Sequence, residues 1–305
     1  MFGIGKKKKK VYTGLSRGTR IVRSLSLILP SIVMLIMIII ALFADLGWVG
    51  FPDVGLAPHD PNATNPRDKL LPPSFMEEGK SDYFLGTDRL GRDIFSRVLY
   101  GARVSLSVSL IVIIITALVG TILGILSGYK GGRTDAFIMR VTDVALSFPA
   151  LLLAMLLWVA IGPGYWTVVL ALSILGWAGY ARMIRGESLR LRESDFVAQA
   201  QVVGASTWRV MSRHIFPNII NSLIVIMTLQ IGMMILAEAA LSFLGLGITA
   251  PTPSWGSIVA DGRSQLDRAW WISAFPGICI GLVVMSGNFL GDWIRDKLDP
   301  RLRQL

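Results

Sequence analysis

Six long stretches of this chain carry no Asp, Glu, Lys or Arg, and they limit its folding more than any other feature. They are Leu25–Ala44, Val104–Leu126, Val144–Ile161, Tyr165–Ala181, Ile219–Ala237 and Ala269–Gly291. A helix needs about 20 apolar residues to cross the hydrocarbon core of a bilayer. Backbone groups in lipid must bond within their own segment, so each stretch is expected to be a helix. The charged residues, only 16% of 305, are gathered between the stretches. That pattern disfavours a soluble globular enzyme and excludes a disordered chain. The expectation is an all-α polytopic membrane protein with six transmembrane helices.

Placement of the basic residues orients these spans. With the N-terminus on the cytoplasmic side, 21 of the 30 Lys and Arg residues fall inside, and every inside segment is basic. The net charge of +10 is therefore mostly a topology signal and gives no reason to expect nucleic acid. The resulting organisation is a cytoplasmic basic tail over 1–24, a first span over 25–44 and an extracytoplasmic loop over 45–103. A five-helix core follows over 104–291, interrupted by an inside loop over 182–218, and a cytoplasmic tail closes the chain over 292–305. The first span is long for a signal peptide and lacks a small-x-small cleavage site, so it reads as an uncleaved anchor. Gly162-Pro163-Gly164 reads as a tight hairpin between the third and fourth spans.

Chemistry-bearing clusters are scarce. Cys279 is the only cysteine, and His59 and His214 are the only histidines. No G-x4-G-K-[ST] loop is present to cradle phosphates. Glu238 is the one ionisable residue if the fifth apolar segment continues to Leu246. At membrane depth such a residue is a functional candidate, with a bond to a neighbouring helix as the structural alternative. Asn288 is a weaker case of the same kind. Gly120, Gly124 and Gly128 form a four-residue repeat, as do Gly277 with Gly281 and Gly287 with Gly291. Small residues at that spacing let helices approach closely.

Two connections are too long to be turns. The outside one is rich in proline in its first half, and its end from Arg92 reads as a helix leading into the second span. In the inside one, Phe196, Ala200, Val203 and Thr207 recur at helical spacing. Gly204 interrupts that pattern, Ser206 or Thr207 can cap a second short helix, and Pro217 suits the first turn of the fifth span. Two short amphipathic helices at the membrane surface are expected.

This loop resembles the coupling motif of ABC importer permeases, E-A-A-x3-G-x9-I-x-L-P. Gly204 takes the position of its glycine, Pro217 that of its proline and Ala200 that of its second alanine. Ala198, Gln199, His214 and Phe216 depart from it. Further blocks resemble the dipeptide, oligopeptide and nickel importer subfamily, C-type permease in particular. They are Leu85–Leu106, Ala237–Gly247, Pro253–Gly256, Ala260–Arg263 and Gly291–Arg301.

The resemblance implies a type I ABC importer permease fold with cytoplasmic coupling helices, in a bacterial inner membrane. It implies a second, B-type permease, two ABC ATPase subunits that hold ATP and magnesium, and an extracytoplasmic substrate-binding protein that delivers peptides. This chain would itself be non-catalytic and bind no cofactor. Phe196, Ala200, Val203, Gly204, Ala205, Ser206, Trp208, Arg209 and Pro217 would form the ATPase contact, and Glu238 and Asn288 would lie near the pathway or its gate. An ion-coupled secondary transporter is the competing reading. It calls for paired intramembrane charges and broken helices, and Glu238 alone meets the first demand.

Overall fold

The computed structural model describes residues 17–44 and 55–298, with side chains placed from Ile28 onward. The basic stretch before Arg17 and the last seven residues lie outside that range. Ten α-helices make up the described residues: α1 (Arg17–Phe43), α2 (Ile94–Lys130), α3 (Gly132–Ser147), α4 (Ala150–Ile161), α5 (Tyr165–Arg192), α6 (Asp195–Val202), α7 (Thr207–Val210), α8 (Phe216–Phe243), α9 (Trp255–Gly262) and α10 (Trp271–Leu298). One isolated bridge, Thr87 with Asp93, is the only strand-like pairing among them.

By length and apolarity, α2, α5, the continuous stretch Thr207–Phe243 and α10 can each cross a membrane. The described apolar part of α1, Ile28–Phe43, is shorter. The third apolar run is not the single helix expected over Val144–Ile161. It is divided between α3 and α4, which meet at 84°. Pro149 causes the break: it has no N–H to continue the α3 ladder, and it forces Phe148 into extended backbone at φ −81°, ψ 127°. The hairpin after α4 forms where expected, with Gly162 at φ 83° and Gly164 at φ 155°.

The axis of the bundle is α2, and its closest neighbour is α5. A Cβ at Gly120 would stand 2.5 Å from Tyr180 Cβ, one at Gly124 2.8 Å from Ile184 Cβ, and one at Gly128 2.7 Å from Ser188 Cβ. The first glycine repeat is therefore the seam between these two helices. Gly291 plays the same part against Leu229 of α8 at 2.7 Å, whereas Gly277 and Gly281 face open space within this chain. Arg185 of α5 holds Asp135 of α3 with two bonds of 2.6 and 2.7 Å, and Arg182 holds Asp143 at 2.6 Å.

At the end of the bundle where α2 begins, residues 55–93 form an irregular cap. The helix expected from Arg92 starts at Ile94. Asp93 caps it, accepting from Ser96 N–H at 2.9 Å and Ser96 Oγ at 2.6 Å. Beneath the cap lies a buried lattice of charges. Arg92 bonds Asp88 at 2.5 Å and Asp261 at 2.9 Å, and Arg97 bonds Asp261 at 3.2 Å and Pro61 O at 3.3 Å. It locks the cap and α2 to α9, a short helix that sequence periodicity did not indicate. The indole N–H groups of Trp255 and Trp271 fasten the same region, donating to Val98 O at 3.0 Å and Thr87 O at 3.2 Å.

Replacing Gly120 by leucine is expected to drive side-chain atoms into the α5 backbone. Overpacking of this kind costs about 1–3 kcal/mol. Thermal unfolding of the solubilised protein should show a lowered midpoint, and an unchanged one would refute the seam.

Candidate functional site

The loop between α5 and α8 is the most elaborately built segment at the end opposite the cap. Its first helix, α6, starts after Ser194 and ends in a paired closing motif. Gly204 N–H donates to Gln201 O at 3.0 Å, and Ala205 N–H donates to Ala200 O at 3.0 Å. That geometry requires a left-handed residue after the cap, and Gly204 supplies it at φ 79°. Nothing lies within 4 Å of a Cβ built there, so the constraint on this glycine is conformational. Ser206 caps α7 by accepting from Arg209 N–H at 3.4 Å.

The second short helix is not separate from the fifth span, contrary to expectation. α7 runs through a π-helical turn, Met211–Ile215, directly into α8. Phe216 N–H donates to Met211 O, five residues back. Pro217, in the first turn of α8, has no N–H to offer Arg213 O, and the widened turn accommodates that gap. No break in the helix therefore separates this loop from α8.

The apolar face of α6 also differs from the one expected. Val197 and Ala200 point inward, whereas Phe196 and Val203 do not. Val197 and Ala200 belong to one buried cluster with Ile125 of α2, Ile184 and Leu191 of α5, Val210 of α7, Ile215 of the π-helical turn, and Ile219 and Leu223 of α8. Gln201 Nε2 adds a bond to Tyr129 Oη at 3.2 Å. The loop is therefore braced simultaneously by three long helices. Its outer surface is apolar: Val202 is 87% exposed, Val203 82%, Trp208 74% and Phe196 38%. Arg209 is exposed beside them, and Ala205 is half-buried at the turn. Spacing alone joined Ala200 to Phe196 and Val203 because a helix of eight residues has too few turns to separate neighbouring stripes. The Schellman turn ends the helix at Val203 and leaves its side chain exposed.

Glu238 is remote from this loop. It is fully buried where α8, α2 and α9 meet. Its Oε2 accepts from Ser105 Oγ of α2 at 2.8 Å and its Oε1 from Ser242 Oγ at 2.8 Å. Each hydroxyl is in turn held by a backbone N–H, Ser105 by Trp255 at 3.2 Å and Ser242 by Ile248 at 3.2 Å. The carboxyl thus fixes the 244–254 connection and the start of α9. The serines at 105 and 242 could not be paired with Glu238 from sequence, since Ser105 lies 133 residues away. Asn288 lies on an exposed face of α10 and is not part of this node.

Comparison with known proteins decides the family. Residues 120–304 match the model of the binding-protein-dependent transport system inner membrane component. The chain belongs to that family. It is 42% identical over 250 residues to the dipeptide transport system permease protein DppC of Bacillus subtilis, covering 82% of this chain and 76% of the relative. It is 40% identical over 270 residues to the di/tripeptide transport system permease protein DppC of Pseudomonas aeruginosa, covering 88% and 86%. The oligopeptide transport system permease protein OppC of Bacillus subtilis is 38% identical over 273 residues, covering 90% and 85%. The fold is that of a solved methionine ABC transporter, MetNI, in an inward-facing conformation. The superposition has a TM-score of 0.56 at 15% identity and covers 67% of this chain and 96% of that one. These resemblances match the family expected from the loop and the blocks after Leu85.

Two substitutions probe these sites. Gly204→Asp places a side chain at a left-handed position and a charge on the apolar outer surface. It is expected to abolish uptake while membrane abundance is kept, measured by transport assay and immunoblot of the same cells. Glu238→Leu strands two buried hydroxyls, at a cost of about 1–3 kcal/mol each. A lower unfolding midpoint is expected, and an unchanged one would remove Glu238 from the packing of α9.

Proposed function

We propose that this chain is one of two different membrane subunits of an ATP-driven peptide importer. It crosses a bacterial inner membrane six times, with both termini and the α6–α7 loop in the cytoplasm. The angled α3–α4 pair counts as one span and α1 as another, and the distribution of Lys and Arg supports this orientation.

The observation that carries the reading is the braced loop. Its outer surface presents Val202, Val203, Phe196 and Trp208 to solvent, and its inner surface is packed against α2, α5 and α8. Exposed apolar residues with an arginine beside them are the composition of a protein contact. A helix seated in a groove on an ATPase subunit would move with it. The brace and the continuous α7–α8 helix would pass that movement to the spans. The loop residues Phe196, Val203, Gly204, Ala205, Ser206, Trp208 and Arg209 would form or shape this contact, while Ala200 and Pro217 would join it to the bundle.

ATP and magnesium would be held by two partner ATPases, and this chain would be non-catalytic. The B-type permease would supply the other half of the pathway. The cap at residues 55–93 and the α9 region would face the external binding protein, with Glu238 setting the position of α9. Di- and oligopeptides are the cargo favoured, because relatives 38–42% identical over 82–90% of this chain carry those names.

The experiment is ATPase activity of the co-purified complex in lipid, with candidate binding proteins empty or loaded with peptide. Stimulation by a peptide-loaded binding protein above the empty one is expected. If no ATPase co-purifies with the chain, the coupling role fails and an ion-coupled carrier takes its place.

A further inference from the structure

An apolar groove of about 450 Å³ opens between α2 and the α7–α8 helix, directly behind the loop. Ile114, Leu118 and Ile122 line it on one side, and Trp208, Phe216 and Met227 on the other. No charged residue lines it. The π-helical turn shapes this wall. With more residues in this turn than in an α-helical one, Trp208, Ser212 and Phe216, four residues apart, all line the groove.

Beside the groove, roughly a quarter-turn around the same helix, stand Arg209 and Arg213. Both are exposed, four residues apart. Among the described residues neither has a carboxylate within ion-pair distance, which holds also for Arg133, Arg140 and Arg192, whereas Arg182, Arg185 and Arg190 are paired.

We propose that this groove holds an acyl chain of an anionic phospholipid from the adjoining leaflet, with the lipid phosphate bound by Arg213, which lies one turn beyond the loop residues assigned to the ATPase contact. The inference rests on the membrane placement argued above. An apolar wall at membrane depth matches the chain. Guanidinium groups match phosphate, which they grip with paired hydrogen bonds. A peptide cargo does not fit, since its charged termini would meet only apolar walls. A helix of the second permease would cover the walls and leave Arg213 without an anion. A lipid here would bridge α2 to α8 at the height of the brace, and so stiffen the route from loop to spans.

The assembled complex is reconstituted with phospholipids carrying a photoreactive group on the acyl chain, with either a phosphatidylglycerol or a phosphatidylcholine head. Adducts are located by peptide mass spectrometry. Labelling of 114–126 and 208–227 by phosphatidylglycerol several-fold above phosphatidylcholine is expected. Arg213→Gln should abolish that preference, and Ile122→Trp, which fills the groove, should reduce labelling by both lipids. Equal labelling by the two lipids would overturn the proposal, as would a preference that survives Arg213→Gln. Labelling of neither segment by either lipid would show the groove covered by protein instead and likewise overturn the proposal. Loss of the ATPases from the Arg213→Gln complex would assign that arginine to the ATPase contact and likewise overturn the lipid site. The headgroup comparison is read on the wild-type chain whether or not ATPases accompany it, so failure of the importer reading is seen separately.

Discussion

Contact between α2 and α5 sets the geometry of the whole bundle. In hydrocarbon there is little hydrophobic drive between helices, so association depends on how closely their surfaces meet. Gly120, Gly124 and Gly128 remove the side chains that would keep the two backbones apart. The close seam places Ile125 of α2 beside Ile184 and Leu191 of α5, and that pair of walls forms the seat for α6. At the other end the same α2 carries Arg97 and Ser105, which bind Asp261 and Glu238. One helix therefore joins the charge lattice under the cap to the brace under the loop.

The two ends are built by different physics. Beneath the cap, buried ionic and hydroxyl groups are matched almost one to one, which gives a directional and rigid arrangement. Arg92 and Arg97 share Asp261, and the Glu238 oxygens each take one serine. Burial of such charges is tolerated only with partners in place. At the loop end the cement is apolar and non-directional, with ion pairs at its edges. A surface of that kind can slide or tilt with less loss than a hydrogen-bonded lattice.

Much of the molecule was legible in its order of residues. The apolar runs gave the helices α2, α5, α8 and α10, because lipid leaves the backbone no other way to satisfy its hydrogen bonds. Gly204 was recognisable as a turn and Ser206 as a cap, since both act through local backbone geometry. The failures were also physical. The run Val144–Ile161 looked continuous because hydropathy does not register the missing N–H of Pro149. Periodicity put Phe196, Ala200 and Val203 on one face of the loop helix, whereas Ala200 is buried with Val197 and both Phe196 and Val203 are exposed, because the helix ends at Gly204 before that stripe is complete.

The sequence by itself determined that the chain is a helical membrane protein, how its charged segments alternate, and where its backbone must turn. Those properties depend on solvent and on residues within a few positions of each other. Only the tertiary structure decided that Ser105 and Ser242 hold Glu238, and that Asp261 answers Arg92 and Arg97. It also decided that α7 is the beginning of α8. Each of these requires knowing which helices lie side by side. Close approach between segments more than a hundred residues apart is set by shape and packing, which no local pattern records.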